Sequence, residues 1–133
     1  LSRQSLELAN RTAMPLHLAE REVLGFDHGE VGAELMKQWN FPESVQAVAK
    51  YHHSPADATD YLLEVCLVHI ATAMAAILKH SPLKSNMSTN VSAKAWEITG
   101  MNKETVYSVI KDVKQQFESS VSAFIPQKNV ANF

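Results

Sequence analysis

The chain has 133 residues, 46% of them hydrophobic and 20% charged, with a formal net charge of −2. That is enough apolar material for one modest domain or part of one, so the chain can bury a core and need not be disordered. The twelve Lys and Arg residues are scattered from Arg3 to Lys128 without a basic stripe, which argues against nucleic-acid binding through phosphate contacts.

Glycine occurs only four times and alternating apolar/polar runs are absent, so helical spacing dominates. Leu6, Ala9 and Ala13 mark a first helix over about Ser2 to Ala13. Pro15 suits the first turn of a second, which reaches about Leu24, and Gly25 then lets the chain turn. Asp27 is the expected N-cap of a third helix, with Glu30 three residues on as in a capping box. Its expected apolar face is Val31, Leu35 and Trp39 at i, i+4, i+8.

Asn40 and Pro42 end that helix, and Pro42-Glu43 opens a fourth. Val45, Val48, Ala49 and His52 share one of its faces; His53 lies about 100° further round. Ser54 and Pro55 stop it. Asp57 or Asp60 is expected to start a long central helix ending near His80. Its most apolar part, Tyr61 to Leu78, is interrupted by Glu64 and His69 and falls short of the ~20 residues that span a bilayer, so a buried core helix is expected. A polar loop over 81–90 follows, then a short helix from Val91 to Ile98 ended by Gly100, and a last helix capped by Asn102. Val106, Val109, Ile110, Val113, Phe117, Val121 and Phe124 form its apolar stripe. The expected architecture is all-α, a compact bundle of about six or seven helices over residues 1–125 with a tail at 126–133.

The single cysteine, Cys66, sits in an apolar run and reads as a buried structural thiol, and a lone cysteine suits the cytoplasm. Six histidines (His17, His28, His52, His53, His69 and His80) raise the question of a metal. No His-Glu-x-x-His, cysteine pair, Gly-rich phosphate loop or Gly-x-Ser-x-Gly elbow is present. The carboxylates at Glu20, Glu22, Glu30 and Glu34 are explained by solvated faces and capping.

One stretch is more specific than its parts. From Glu20 to Pro42 the chain reads Gly25-x-x-His28, Gly32, Trp39 and Pro42, and it leads through Val45 and Val48 to the doublet His52-His53. This pattern resembles the HDOD (HD-related output domain) family, and Leu67-Val68-His69-Ile70-Ala71 is similar to the family's long helix after the doublet. The resemblance extends more weakly through the later helices. It implies an all-helical fold of the HD-superfamily kind. It also implies a kinship to metal-dependent HD phosphohydrolases, including the HD-GYP cyclic-di-GMP phosphodiesterases, in which residues matching His28 and His52 bind metal. This chain departs from those enzymes. It has no His-Asp doublet (27–28 is Asp-His), Thr72 stands where they keep a late Asp, and Ser54-Pro55-Ala56 replaces Gly-Tyr-Pro.

Losing those oxygens removes charge and coordination number. The expectation is therefore no catalytic residue, no resident cofactor and no metal. His28, His52, His53 and His69 are at most vestigial candidates, with His28 and His52 held by partners such as Thr72 or His69. The resemblance implies a non-catalytic regulatory module of bacterial signal transduction, cytoplasmic, acting on protein partners and not on nucleic acid or membrane. The alternative is an HD-type phosphohydrolase acting on a cyclic dinucleotide or another phosphate ester. The resemblance further implies a C-terminal half of the domain, its core face covered by a preceding segment or by a second copy in a homo-oligomer.

Overall fold

The computed structural model describes residues 2–80 and 91–124, all α-helix, 3-10 turn and connecting segment. The helices are α1 (Arg3–Thr12), α2 (Leu16–Leu24), α3 (His28–Gln38), α4 (Glu43–Tyr51), α5 (Leu62–His80), α6 (Ala93–Thr99) and α7 (Lys103–Phe124), with a 3-10 turn at Pro55–Asp57. The fold is all-α, as expected. The loop 81–90 and the tail 126–133 lie outside the described residues.

The boundaries follow local chemistry. Asp27 and Glu30 form the expected capping box, the Asp27 side chain accepting from Glu30 N–H and the Glu30 side chain from Asp27 N–H. Asn102 Oδ1 accepts from Thr105 N–H at 2.8 Å and starts α7. Gly100 ends α6 at φ +63°, a conformation that costs glycine little. The central helix begins later than the expected Asp57 or Asp60. Pro55–Asp57 forms its own 3-10 turn, and Tyr61 at φ +53° breaks the helical path just before Leu62.

Two bodies of contact stand out. Helices α1 and α2 pack on each other, and α3 packs closely on α4. The apolar core lies further along the chain: Cys66, Ile70 and Ile77 of α5, Val91, Ala95 of α6, and Val106 and Ile110 of α7, with Ala73, Met74, Trp96 and Met101 against them. Cys66 is fully buried, and burial pushes its thiol up, as befits a structural side chain. Helix α4 packs on α5 and joins the pairs to the core.

Three apolar faces are only partly buried. Val31, Leu35 and Trp39 do not form a buried face of α3; they are 51%, 37% and 60% exposed. Among the described side chains of the α7 stripe, Val106 and Ile110 are buried, while Val109, Val113 and Phe117 face solvent. On α1 the fully buried residue is Ser5, and Leu6 is exposed.

Ala13 closes α1 in the left-handed region at φ +55°. Its Cβ crowds the backbone there, which glycine avoids. Ala13→Gly is therefore expected to stabilise the protein by about 0.5–1 kcal/mol, net of the flexibility it adds to the unfolded chain. A lower denaturation midpoint for the variant would refute this.

Candidate functional site

The start of α3 and the end of α4 meet at a cluster of imidazoles. The meeting depends on Gly29, the second residue of α3, which is buried. A Cβ at Gly29 would lie 2.8 Å from the carbonyl oxygen of Ala49 and 3.3 Å from that of Lys50. Only a bare backbone allows α4 so near. That approach brings His52 and His53, just past α4, up to His28 at the first turn of α3.

Helix α2 supplies the support. Glu20 is only 2% exposed. One of its oxygens, Oε2, accepts from the His28 backbone N–H at 3.0 Å and faces His28 Nδ1 at 2.5 Å. Arg21 Nε donates to Asp27 Oδ2 at 2.8 Å, fixing the cap residue next to His28. Burial alone would raise both carboxyls. The hydrogen bonds from the His28 ring and backbone outweigh it at Glu20, and the Glu30 N–H and the Arg21 guanidinium outweigh it at Asp27. Both carboxyls therefore ionise below their ordinary range.

The rings are in direct contact. His28 Nε2 and His53 Nε2 are 2.8 Å apart. His53 stacks on His17 of α2 with centroids 4.2 Å apart and planes 8° from parallel, and it lies 4.0 Å from the His52 ring. Hydrogen bonds constrain where the protons sit. His52 Nδ1 lies 2.9 Å from the Ala49 carbonyl oxygen. A carbonyl only accepts, so Nδ1 carries the proton and Nε2 of the neutral ring keeps its lone pair. The Glu20 carboxylate imposes the same arrangement on His28. The two facing Nε2 atoms cannot both be protonated, so one of these two rings is neutral. Burial is the main reason that His53 is pushed down to about 4, followed by the neighbouring imidazoles His52, His17 and His28; Asp27 opposes them. Burial likewise lowers His17, against the attraction of Asp27.

The vestigial candidates separate here. One ring nitrogen from each of His28, His52 and His53 converges, all within 4.8 Å of one another. His69 is not among them: its Nδ1 donates to the His52 backbone oxygen at 2.7 Å, and its Nε2 accepts from Ser92 N–H at 3.0 Å. With both nitrogens spoken for, His69 is a neutral bracket between α4, α5 and the start of α6. Thr72 is not a partner of these rings either. It is exposed, and its hydroxyl donates to Val68 on its own helix. Glu20 corrects another expectation, because it is a buried support and not a solvated charge. Its signal was present in the sequence: it falls in register with the apolar positions Leu16, Ala19 and Val23 of α2. His17, one turn before Glu20 and Arg21, was the other member missed.

This donor set suits one cation better than two. Three neutral imidazoles match a four-coordinate divalent transition metal with an open position. A dinuclear hydrolytic centre needs oxygens to bridge two ions about 3.5–4 Å apart. Among the described residues no carboxylate joins the converging nitrogens.

Compared with known proteins, residues 2–55 match the model of the HDOD domain. No curated protein and no solved structure matches the chain. The matched span holds α1 to α4 and four clustered imidazoles, His17, His28, His52 and His53, and stops before α5. Over residues 2–55, less than half of its length, the chain is thus similar to the HDOD domain family.

Proposed function

We propose that the chain is a non-catalytic regulatory module that works by docking a protein partner. The observation that carries this reading is the uncovered apolar face of α3. Val31, Leu35 and Trp39 face outward, and Phe26 before the helix and Phe41 after it are also exposed. Contiguous exposed apolar surface with aromatic anchors is characteristic of interfaces. Phe26, Val31 and Leu35 floor a shallow groove edged by Glu30, Glu34 and Gln38. The matching partner is a protein segment with apolar anchors and basic flanks. No described helix is long and apolar enough to cross a membrane. A place in cytoplasmic bacterial signalling accords with the family.

The competing reading, a metal-dependent phosphohydrolase, draws support from the converging imidazoles. It lacks the anionic oxygens needed to hold two ions and activate water. Two measurements separate the readings. With zinc, manganese or ferrous iron added, the protein is expected to hydrolyse neither a cyclic dinucleotide nor a simple phosphomonoester. The wild-type chain is expected to capture a partner from the source cells that Leu35→Asp loses through the buried charge, and that Glu34→Lys weakens. Metal-dependent turnover, or capture indifferent to Leu35→Asp, would reverse the ranking.

A further inference from the structure

We propose that the groove along α3 takes an amphipathic helix of a partner protein, about three to four turns long, with lysine or arginine on the flank that meets Glu34. This rests on the docking reading and adds the form, length and charge of what docks.

The first argument is the charge of the groove. Phe26, Val31 and Leu35 give it an apolar floor, and Glu30, Glu34 and Gln38 form its edge. Among the described residues, no lysine, arginine or histidine lines it. Lys37, three residues after Glu34, lines the neighbouring groove between α3 and α4. Glu34 is exposed, and its contact with Gln38 Nε2 is a loose 3.4 Å. Glu30 keeps one oxygen on the Asp27 N–H. The edge is therefore anionic, with Glu34 the carboxylate more open to a cation. Charge complementarity favours a basic partner. It disfavours a second copy, because an antiparallel pairing of two α3 helices centred on Leu35 would set each Glu34 against the other.

The second argument concerns the backbone of what docks. Every buried N–H and C=O needs a partner. An extended segment laid on this face would find none. The described residues hold no strand whose edge could pair with it, and the main chain of α3 is hydrogen-bonded within its own helix. A helix satisfies its own backbone and offers side chains to the contact. The side-chain rows also match. Val31, Leu35 and Trp39 form an i, i+4 ridge, and such ridges pack into the grooves of a second helix.

The third argument is length. From Val31 to Trp39 the ridge runs about 12 Å, and Phe26 prolongs it beyond the start of α3. At the far end the rings of Trp39 and Phe41 lie 6.4 Å apart and give an aromatic anchor. A helix covering that span has about 11–14 residues. So short a helix is marginal alone in water, so the partner segment orders as it docks and binds only in the micromolar range.

The probe is an alanine-based peptide of about 16 residues, with leucine at i, i+4 and i+8 and lysine along one flank. Emission of Trp39 reports its binding to the full chain, over a constant signal from Trp96 held against the core. Saturable micromolar binding is expected, weakening as salt rises. Leu35→Asp should abolish it; Leu35 is itself exposed, so the variant keeps its fold. Glu34→Lys should weaken the lysine peptide about 3–10-fold and strengthen binding of the same peptide carrying glutamate in place of lysine. A version with proline at its centre, which cannot complete the helix, should not bind. No binding of the lysine peptide, binding indifferent to Leu35→Asp or Glu34→Lys, or equal binding of the proline peptide would overturn the proposal. So would sedimentation showing a wild-type dimer that Leu35→Asp makes monomeric, since a second copy would then occupy the face. The two readings fail separately: a partner captured from cells through Leu35, with the lysine peptide unbound, leaves docking intact and sinks the helix.

Discussion

Replacing Gly29 with alanine is expected to destabilise the protein by about 3 kcal/mol, at the upper end for overpacking, and to pull the imidazole cluster apart. The added methyl would meet the Ala49 carbonyl oxygen at 2.8 Å, the Asp27 carboxylate at 3.0 Å and the Lys50 carbonyl oxygen at 3.3 Å. Two of these are backbone atoms inside α4, which cannot swing away as a long side chain can. Relief therefore requires α3 and α4 to separate. That motion moves His28 away from His52 and His53 and strains the Asp27 cap. Gly32, one turn along the same helix, provides the internal control. A Cβ there meets only the Ala49 methyl, at an ordinary 3.8 Å. Gly32→Ala is expected to be neutral or to stabilise by up to about 1 kcal/mol, the helical gain of alanine over glycine. Denaturant unfolding of both variants tests the pair. Equal effects would mean that helix propensity, and not the closeness of α4, governs Gly29.

The contrast between these glycines shows what the sequence could and could not convey. Capping is local chemistry, so the Asp27–Glu30 box, the Asn102 cap and the Gly100 stop were legible from residue types and offsets. The doublet His52-His53 and His28 were legible as candidates, but their meeting was not. It depends on a backbone-to-backbone approach across 20 residues, and Gly29 looks no different from Gly32 in a string of letters. The apolar stripe of α3 was legible, but its exposure was not. Periodicity establishes that a helix is amphipathic, not that its apolar face is covered within the described chain. Glu20 was misplaced because charged residues are mostly solvated, and only its register with Leu16 and Val23 argued otherwise. The start of α5 was misplaced because Asp57 and Asp60 are both plausible caps, and the turn at Pro55 and the left-handed Tyr61 override them.

The second large effect is expected at Asp27. This side chain is 2% exposed, accepts from Glu30 N–H at 3.0 Å and pairs with Arg21 at 2.8 Å. Asp27→Ala removes the cap, worth about 1–2 kcal/mol, and frees the N–H groups of the first turn. It also removes the ion pair. Arg21 is 42% exposed and regains water when released, so that share stays below about 1 kcal/mol. The total expected loss is about 2–3 kcal/mol. Asp27→Asn keeps an oxygen for the cap and should lose only the smaller part. The two variants also differ in acid. Asp27 ionises below its ordinary 3.8 in the folded chain, so the unfolded chain binds its proton first. The stabilisation is complete above about 3.8 and is lost as pH falls through the lower folded value. His53 acts in a separate window. Its folded value of about 4 lies below the ordinary 6.5, so between these the unfolded chain holds more protons and stability declines as pH falls. The wild-type protein should thus weaken first as pH falls below 6.5, through His53 and His17, and again below about 4, through Asp27 and Glu20. Asp27→Asn should preserve the upper limb and flatten the lower one, leaving the part due to Glu20. If its stability ran parallel to that of wild type below pH 4, the carboxylate of Asp27 would have no special place in holding the start of α3. The imidazole cluster would then owe its position to Glu20 and Gly29 alone.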